Sequence, residues 1–328
     1  MKSSIQTNIK NPDVLLSIIV PCFNCEKFIY DALCSLADFN KSELEILLID
    51  DGSTDNTKVE ISKFINAYKD LVNIKVFSQK NSGVSAARNL GIDNANGRYI
   101  GFLDADDKFL SEFYSNIYPL IKNRDEEIIE FGFIRFDNNT NIQNVKFKPL
   151  HNFKGSYFLQ DIIEDIHAST VWFSPSRIYK RSLWDRIRFP IDKCYAEDAM
   201  TIPKIFLNAS SIYFINKPLY GYRYNSDSVT SNHSVKHLEN LVNFYWSINK
   251  ENSIDKILKI RIARGISFFV HELKSDKTRY LEIRQDVTSL ILSFETKKKL
   301  LLPDLIYFLV PSIYDLLNGL RLRNKKGT

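Results

Sequence analysis

Short apolar runs rich in β-branched residues alternate with stretches of helical periodicity along the first third of the chain. The predicted strands, each bounded by polar or glycine-containing segments, are residues 16–21, 45–50, 73–77 and 99–104. The predicted helices between them are residues 25–38, 55–69 and 84–95. Because strand–helix alternation at this spacing requires right-handed crossovers, the pattern predicts an α/β fold with a mostly parallel sheet of buried strands, flanked by helices.

The second half of the chain has a less regular pattern. One more strand is predicted at 127–136, followed by a loop-rich stretch at 137–154. Helices are predicted at 155–166 and 198–208, and the runs "SSIYFI" and "LYGYRYN" predict two late strands. From about residue 234 the periodicity is helical to the end, which predicts a C-terminal α-helical appendage.

The composition is that of a soluble globular protein, since 44% of the 328 residues are hydrophobic and 25% are charged. Residues 1–13 are polar, show no periodicity and lack the apolar segment of a signal peptide, which predicts a flexible N-terminus. The four cysteines are too few for a disulfide framework and predict a reducing compartment. Cys22 and Cys25 form a CxxC pair, but no second pair completes a zinc site, which disfavours a metal or redox role.

The net charge of +5 comes from residues 296–328, which hold seven Lys or Arg against two acids. A nucleic-acid binder usually spreads its basic charge over a folded face, so this distribution argues against nucleic acid as a partner. Asp304 and Asp315 interrupt the apolar tail, and Pro303 and Pro311 break it, which disfavours a spanning helix. The basic amphipathic pattern predicts short helices on an anionic membrane surface; the alternative is a helical appendage packed on the rest of the chain.

Polar clusters follow three of the predicted strands, at residues 21–24, 50–55 and 104–107. The carboxyl ends of parallel strands meet at one edge of a sheet and bind ligands there, so we expect the three clusters to converge. Asp104 and Asp106 form a D-x-D at such an end, which suits a divalent cation such as Mn²⁺ or Mg²⁺ held against a diphosphate. The alternative is that these carboxylates simply face water.

Two further segments carry candidate binding chemistry, each with a structural alternative. Asp50 and Asp51 close a strand and can accept hydrogen bonds from a ribose or a base, whereas capping would explain only part of their charge. Gly83 loosens the turn into a helix whose free N–H groups could face phosphate, and Arg88 adds a fixed cation. The alternative for Arg88 is a surface ion pair.

A pair of acidic residues, Glu197 and Asp198, precedes a helical run far along the chain from the other acids. Taken alone the pair is an N-terminal acidic cap of that helix. Taken with the D-x-D it supplies the separate carboxylate that a proton-transfer step needs.

Four motifs follow one another in a recognisable order and spacing: "LLSIIVPCFNCEKFIYDALCSL", "EILLIDDGSTDNT", "NSGVSAARNLGIDNANGRYIGFLDADD" and "AED". In that order they resemble the bacterial family 2 glycosyltransferases with a GT-A fold, closely over residues 14–110 and more loosely to about residue 231. The resemblance implies a GT-A catalytic domain at 14–231, with a nucleotide-binding half at 14–110 and an acceptor half at 111–231. A helical C-terminal region follows at 232–328.

The resemblance also implies roles for particular residues. Asp198 would be the general base, supported by Glu197, and Asp51 would read the base of the nucleotide. Phe23 stands where many relatives carry tyrosine, so stacking on the base survives and a hydroxyl contact is lost. The residues implied in binding the nucleotide-sugar are Pro21, Phe23, Asn24, Asp50, Asp51, Gly83, Arg88, Asp104 and Asp106. Of these, Asp104 and Asp106 would also bind the metal, with Asp106 the direct ligand.

Three more residues are candidates for contacts with the diphosphate or the acceptor, namely Asp107, Arg223 and Trp172. For Trp172 stacking on a sugar ring competes with core packing, the commoner role of a tryptophan. Arg88 and Arg223 could both help to neutralise a departing diphosphate.

The implied activity is inverting transfer of a hexose or N-acetylhexosamine from a UDP-sugar to a hydroxyl of a lipid-linked glycan acceptor, dependent on Mn²⁺ or Mg²⁺. Such a step belongs to bacterial surface polysaccharide assembly, which places the protein at the cytoplasmic face of the membrane. One rival is a nucleotidyltransferase, which would normally show a glycine-rich, lysine-containing loop near its first strand; "PCFNCEKF" is not one. Another is a non-catalytic nucleotide-sugar binding module, which would be expected to lose the D-x-D or Asp198.

Overall fold

The computed structural model describes most of the chain between residues 14 and 292. The described residues are 14–37, 42–71, 73–137, 147, 149–169, 172–191, 196–224, 235–249, 252–273 and 277–292. The predictions for residues 1–13 and for the tail at 296–328 lie outside them, as does most of the stretch predicted to be loop-rich.

Nine strands of the described residues form one sheet, in the order β3-β2-β1-β4-β8-β6-β9-β5, with β7 also paired to β9. They are β1 (Leu16–Cys22), β2 (Leu44–Asp50), β3 (Asn73–Ser78), β4 (Tyr99–Phe102), β5 (Lys108–Phe109), β6 (Ile128–Phe136), β7 (Gly155–Phe158), β8 (Arg177–Lys180) and β9 (Ser211–Arg223). Strands β1 to β4 pair in parallel, whereas β8 runs antiparallel to both β4 and β6. The predicted α/β class is confirmed, with a sheet that is parallel in its first half and mixed in its second.

The helices of the described residues flank this sheet or follow it. They are α1 (Ile29–Cys34), α2 (Thr57–Tyr68), α3 (Val84–Asn94), α4 (Phe113–Asn123), α5 (Leu159–Ser169), α6 (Glu197–Asn208), α7 (Val235–Ser247), α8 (Ser253–Leu273) and α9 (Lys277–Leu292). The helix predicted at 155–166 was wrong in its first turn. Residues Gly155–Phe158 are strand β7, because they pair antiparallel with β9 and tertiary pairing overrides the local pattern.

The two late strands predicted from "SSIYFI" and "LYGYRYN" are a single strand, β9. Residues 216–218 interrupt the apolar pattern and look like a turn in sequence. The register of β9 against β6 shifts around Gly132, which is opposite Pro218, and pairing continues beyond it to Arg223. This irregularity lets one long strand span what the sequence presents as two.

Strand β3 was predicted to be buried, and this was wrong. It lies at one edge of the sheet, and Val76 is 45% exposed. A strand with one neighbour and one covered face keeps the apolar composition of an inner strand without its burial.

The parallel half is covered on both faces, which explains why every residue of β1 and β2 is buried. Ile18 and Val20 join one core cluster with Ile29 of α1 and Phe64 of α2. On the other face, Gly91 of α3 lies so close to β1 that an added Cβ would come within 2.4 Å of the Ile19 side chain. Close packing of α3 on β1 sets the position of Arg88, one turn before Gly91.

By its contacts the chain divides into two compact units, one of Met1–Asp161 with Trp172–Asn225 and one of Ile162–Val171 with Ser226–Thr328. In the second unit the buried Lys259 donates to the carbonyls of Tyr245 (2.7 Å) and Ile248 (3.3 Å), at the C-terminal end of α7. Tyr245 donates in turn to Asp286 of α9 at 2.7 Å. Within the described residues, no helix combines the length and apolarity that crossing a membrane requires.

Candidate active site

The polar ends of β1 and β2 are joined by side-chain hydrogen bonds. The Asn24 N–H donates to Ser53 Oγ at 3.1 Å, and the Thr54 N–H donates to Asn24 Oδ1 at 2.9 Å. Asn24 has a φ of +47°, a left-handed conformation that asparagine tolerates better than most residues. This turn leaves the Phe23 ring 47% exposed, while Pro21 is buried within β1 beside Ile49.

Asp50 holds the turn that follows β2. Its Oδ1 accepts from the Ser53 N–H at 2.9 Å, and its Oδ2 lies 3.3 Å from Lys58 Nζ. The carboxylate is buried. Asp50 therefore holds a turn that precedes α2, whose N-cap residue is Asn56, and it does not cap that helix.

Asp51 holds a different segment, the loop before α3. Its Oδ1 accepts from Gln79 Nε2 (2.8 Å) and the Ser82 N–H (2.7 Å), and its Oδ2 accepts from the Gly83 N–H (2.7 Å). A carboxylate offers about four acceptor sites, so three are taken within the chain. The two adjacent aspartates thus hold two different segments of the chain, Asp50 the turn at Ser53 and Asp51 the loop before α3.

Arg88 joins three carboxylates from distant parts of the chain. Its Nη2 lies 2.9 Å from Asp104 Oδ1, and its Nη1 lies 2.8 Å from Glu197 Oε1 and 3.4 Å from Asp198 Oδ1. Arg88 is only 3% exposed, so the alternative of a surface ion pair was wrong. The convergence of the β4 end with the start of α6 is the central feature of the site.

One buried cation faces three acids here. Burial alone would lower the pKa of Arg88, but the charges of Asp104, Asp198 and Glu197 outweigh it and raise the pKa above its usual value. The guanidinium also lies over the Phe102 and Phe189 rings, at 6.0 and 5.2 Å from their centroids. With one positive charge against three negative ones, the cluster keeps an excess of negative charge.

Asp198 is the second residue of α6, and Ala196 before the helix has a φ of +64°. Its Oδ2 accepts from the Ser174 N–H at 3.1 Å. Burial raises the pKa of Asp198 to about 6, although Arg88 opposes the shift. A carboxylate with this pKa is ionised at neutral pH and still basic enough to accept a proton.

The loop after β4 is clamped by the end of β9. Tyr220 Oη donates to Asp107 Oδ2 at 2.7 Å and accepts from the Asp104 N–H at 3.2 Å, and the Arg223 N–H donates to Asp107 Oδ1 at 2.7 Å. Burial, together with the charges of Asp104 and Asp106, raises the pKa of Asp107 to about 9. Asp107 is therefore an anchor of the loop.

Arg223 clamps the same loop. Its Nε donates to the Asp106 carbonyl at 2.7 Å, and its Nη2 lies 2.5 Å from Asp31 Oδ2. The guanidinium also lies between the rings of Phe28 and Phe136. These contacts make Arg223 a positioning residue; the expected contact with a diphosphate stays a prediction.

Asp106 differs from its neighbours, because no side chain among the described residues donates a hydrogen bond to its carboxylate. Burial and the charge of Asp104 raise its pKa to about 6. Within the described part of the chain, no three His, Cys, Asp or Glu side chains are arranged to hold a metal ion. One or two carboxylates suffice for Mg²⁺ or Mn²⁺ when water and phosphate complete the coordination, so Asp106 and Asp104 fit such an ion.

Trp172 is buried, and its ring meets that of Phe206 edge-on at 6.0 Å between centroids. These contacts agree with the core-packing alternative for Trp172.

Cys22 and Cys25 are buried free thiols. Sequence reasoning missed Tyr220 and Ser174, since no local pattern links Tyr220 to an aspartate 113 residues earlier.

Comparison with known proteins agrees with this geometry. Residues 17–187 match the profile of Glycosyl transferase family 2. A mixed α/β sheet with acids gathered at its strand ends is the architecture of a GT-A glycosyltransferase. The chain belongs to glycosyl transferase family 2, which confirms the resemblance seen in its motifs.

Two relatives and one solved structure illustrate the match. The uncharacterized glycosyltransferase EpsJ of Bacillus subtilis is 28% identical over 261 residues, which are 76% of this chain and 75% of EpsJ. The poly(ribitol-phosphate) beta-N-acetylglucosaminyltransferase TarS of Staphylococcus aureus is 30% identical over 213 residues, 63% of this chain but only 35% of TarS. The crystal structure of S. aureus TarS 1-349 in complex with UDP-GlcNAc has a TM-score of 0.66 at 25% identity, covering 85% of this chain and 82% of that one.

Proposed function

We propose that this glycosyltransferase moves a hexose or N-acetylhexosamine from a UDP-sugar to a hydroxyl of a glycan acceptor, with inversion at the anomeric carbon. The observation that carries the proposal is the Arg88 cluster, which brings Asp104 beside Glu197 and Asp198. TarS, whose crystal structure contains UDP-GlcNAc, supports a UDP-sugar as the donor.

Asp198 is the proposed general base. A sugar hydroxyl is a poor nucleophile at neutral pH, so the carboxylate takes the hydroxyl proton as the oxygen attacks the anomeric carbon. The bond from that carbon to the diphosphate oxygen breaks, and its electron pair leaves with UDP. One displacement inverts the configuration, and no covalent enzyme intermediate is required.

Glu197 and Arg88 keep the base in place. Both acids share Arg88 Nη1, at 2.8 Å from Glu197 and 3.4 Å from Asp198. Because a hydrogen-bonded guanidinium has a fixed planar geometry, the arrangement orients Asp198 without protonating it. Glu197 is a supporting residue in this scheme.

Asp106 and Asp104 are the residues that would hold Mn²⁺ or Mg²⁺. Such an ion, when bound, neutralises the negative charge that develops on the departing diphosphate. The chain's own contribution is a loop held rigid by Tyr220 and Arg223, with Asp106 left open to a ligand.

The nucleotide is proposed to bind over the joined ends of β1 and β2. The exposed face of Phe23 offers stacking to the base, next to Pro21 and Asn24. Asp51 retains about one acceptor site for the base, and Gly83 is the N-cap residue of the helix that carries Arg88. Asp50 supports this surface because its carboxylate holds the turn at Ser53.

Two expectations from the sequence stay predictions. One is a lipid-linked acceptor in surface polysaccharide assembly, and the other is docking of residues 296–328 on an anionic membrane. Co-sedimentation with vesicles of anionic lipid at low salt tests the docking. The full chain is expected to sediment, and a truncated variant ending at Glu295 is expected to stay in solution and to retain donor hydrolysis. Equal partitioning of the two would contradict the membrane role.

The test of the proposed function is release of UDP from a panel of UDP-sugars in the presence of Mn²⁺, with and without glycan acceptors. Asp198→Asn is expected to lower kcat by about 10²–10⁴ with little change in donor binding. Asp161→Asn, the same change in the first turn of α5, is the matched control and is expected to retain activity. Absence of UDP release with every donor, or normal turnover by Asp198→Asn, would contradict the proposal.

A further inference from the structure

A second buried charge cluster lies beside the site, on β6 and β8. Glu130 and Arg177 are directly opposite each other across the two strands. Arg177 Nε and Nη2 lie 2.9 and 2.7 Å from Glu130 Oε2, and His151 Nδ1 lies 2.6 Å from Glu130 Oε1. All three side chains are buried, and Arg177 is fully so.

Glu130 and Arg177 keep their charges although both side chains are buried. Burial alone would raise the pKa of Glu130, but Arg177 and His151 outweigh it and lower the pKa. Burial would likewise lower the pKa of Arg177, and Glu130 reverses that shift. Because buried ion pairs are often no more stabilising than apolar residues of the same volume, stability alone does not account for this one.

A further contact of Arg177 points to its role. Arg177 Nη1 donates to the Phe173 carbonyl at 2.9 Å. The N–H of the same peptide group, on Ser174, donates to Asp198 Oδ2 at 3.1 Å. One peptide unit therefore lies between a buried cation and the carboxylate of the proposed base, with its dipole aligned from one to the other.

We propose that Arg177, held by Glu130, is a positioning residue for Asp198 that acts through the Phe173–Ser174 peptide. The cation on the carbonyl fixes the plane of the peptide and polarises its N–H, since hydrogen bonds in a chain strengthen one another. The N–H then holds Asp198 Oδ2, while Arg88 holds Oδ1. This inference rests on the proposed function in one respect, the expectation that turnover depends on the position of Asp198.

The surroundings of Asp198 define what a change at Arg177 would alter. A hydrogen bond to a carboxylate stabilises its charged form, so a weaker Ser174 bond leaves Asp198 harder to ionise. Arg88, Glu197 and Asp104 also face Asp198, and all three lie outside β6 and β8. The Tyr179 hydroxyl faces Asp198 as well, but it is on β8 and interacts with Arg177, so its contacts change with a substitution there.

The test uses a variant that removes both charges together, Glu130→Gln/Arg177→Met, because Arg177→Met alone would leave the buried Glu130 carboxylate without the arginine that pairs with it. The matched control is Glu45→Gln/Lys75→Met. It removes another ion pair of the same sheet, with Glu45 buried and 2.7 Å from Lys75, and has no contact with Asp198. Arg177→Lys, which retains a cation beside Glu130, is the conservative variant.

The direct readout is the Ser174 amide signal. Labelling phenylalanine at the carbonyl with ¹³C and serine with ¹⁵N selects Phe–Ser peptides, which occur in the sequence only at 77–78 and 173–174. In the wild type the Ser174 amide proton is expected to shift with the ionisation of Asp198, and Ser78 serves as the internal reference. In Glu130→Gln/Arg177→Met the Ser174 proton is expected upfield, with a midpoint about one pH unit higher. The Ser174 amide shift and midpoint of Arg177→Lys are expected to lie between those of the wild type and the double variant. Those of the control variant are expected to match the wild type.

The kinetic readout separates positioning from general packing. Glu130→Gln/Arg177→Met is expected to lower kcat about tenfold, with KM for the donor within about twofold. Added to Asp198→Asn, the double substitution is expected to cost nothing further, because it acts through that carboxylate. A Ser174 signal unchanged from the wild type, or full additivity with Asp198→Asn, would overturn the inference. If instead Ser174 responds but Asp198→Asn keeps its turnover, the positioning stands and the proposed base is wrong.

Discussion

The carboxyl ends of β2 and β4 both carry adjacent aspartates, and the two regions use them in opposite ways. The β2-end pair, Asp50 and Asp51, accepts hydrogen bonds from backbone N–H groups of the turns that it holds. The β4-end cluster, Asp104, Asp106 and Asp107, repels itself, and burial with mutual charge raises the pKa of two of its members. The same sequence signature thus gives a structural anchor in one place and a candidate metal and donor site in the other.

The difference lies in the donors that the fold supplies. Loops 52–53 and 79–83 turn their N–H groups toward the β2-end pair, and Arg88 and Tyr220 are directed at Asp104 and Asp107. Asp106 receives no side-chain donor within the described residues. An acid that the structure holds in place but leaves without such a partner is the kind that a ligand can complete.

The largest expected effect is that of a substitution at Asp106, in the β4-end cluster. Asp106→Asn is expected to lower transfer at least about 10³-fold, because charge stabilisation on the leaving diphosphate is lost. It is also expected to raise the melting temperature of the metal-free protein, since it relieves repulsion from Asp104. Chelation with EDTA is expected to lower transfer in the wild type, and Mn²⁺ or Mg²⁺ to restore it. Full activity in excess chelator would contradict the metal site.

The pH dependence of the transfer rate tests the carboxylates that meet at Arg88. Asp198, which shares Arg88 with Asp104, must be ionised to accept a proton, and its pKa is raised to about 6. The kcat for transfer is therefore expected to fall below about pH 6, approaching a tenfold loss per pH unit. Transfer rates measured from pH 5 to 8 at saturating donor check this. A profile that is flat through pH 5 would show that the base is another group.

Asp51→Ala tests the other half of the comparison, with the opposite sign for stability. The substitution leaves the Ser82 and Gly83 N–H groups and Gln79 without their acceptor. The free energy of unfolding is expected to fall by about 2 kcal/mol, measured by chemical denaturation. Asp106→Asn measured in parallel is the control, and equal losses in both variants would remove the distinction between the two regions.

The smallest expected effect concerns the clamp on the β4-end cluster. Tyr220→Phe removes one hydroxyl that bonds both Asp107 and the Asp104 N–H. We expect a loss of about 1 kcal/mol in unfolding free energy and a fall of several-fold in kcat, because the loop is less well held. Tyr99→Phe, which removes a buried hydroxyl bonded to the Glu126 carbonyl, allows comparison with a tyrosine outside the loop. A larger effect on activity from Tyr99→Phe would indicate that the loop does not depend on Tyr220.

Much of the first half of the fold follows from the sequence. Strands β1, β2 and β4 and helices α2 and α3 lie within one or two residues of their predicted positions. Periodicity reports whether a side chain is buried, and in a parallel sheet covered on both faces burial and strand identity coincide. The predictions were wrong for the burial of β3, for the helix assigned to the residues of β7 and for the division of β9 into two strands. An edge position, an antiparallel partner and an irregular register decided these outcomes.

For the candidate site, the sequence determined which residue types stand at strand and helix ends, and the order of their motifs showed the family. Only the tertiary structure decided which of these acids meet. Arg88 reaches Glu197 and Asp198 across 109 and 110 residues, and Arg177 bonds Glu130 across 47. A local pattern is sensitive to neighbours a few positions away, whereas these contacts depend on strand order and on how closely helices approach the sheet. The same dependence separates the anchoring role of Asp51 from the open carboxylate of Asp106, which no spacing in the chain distinguishes.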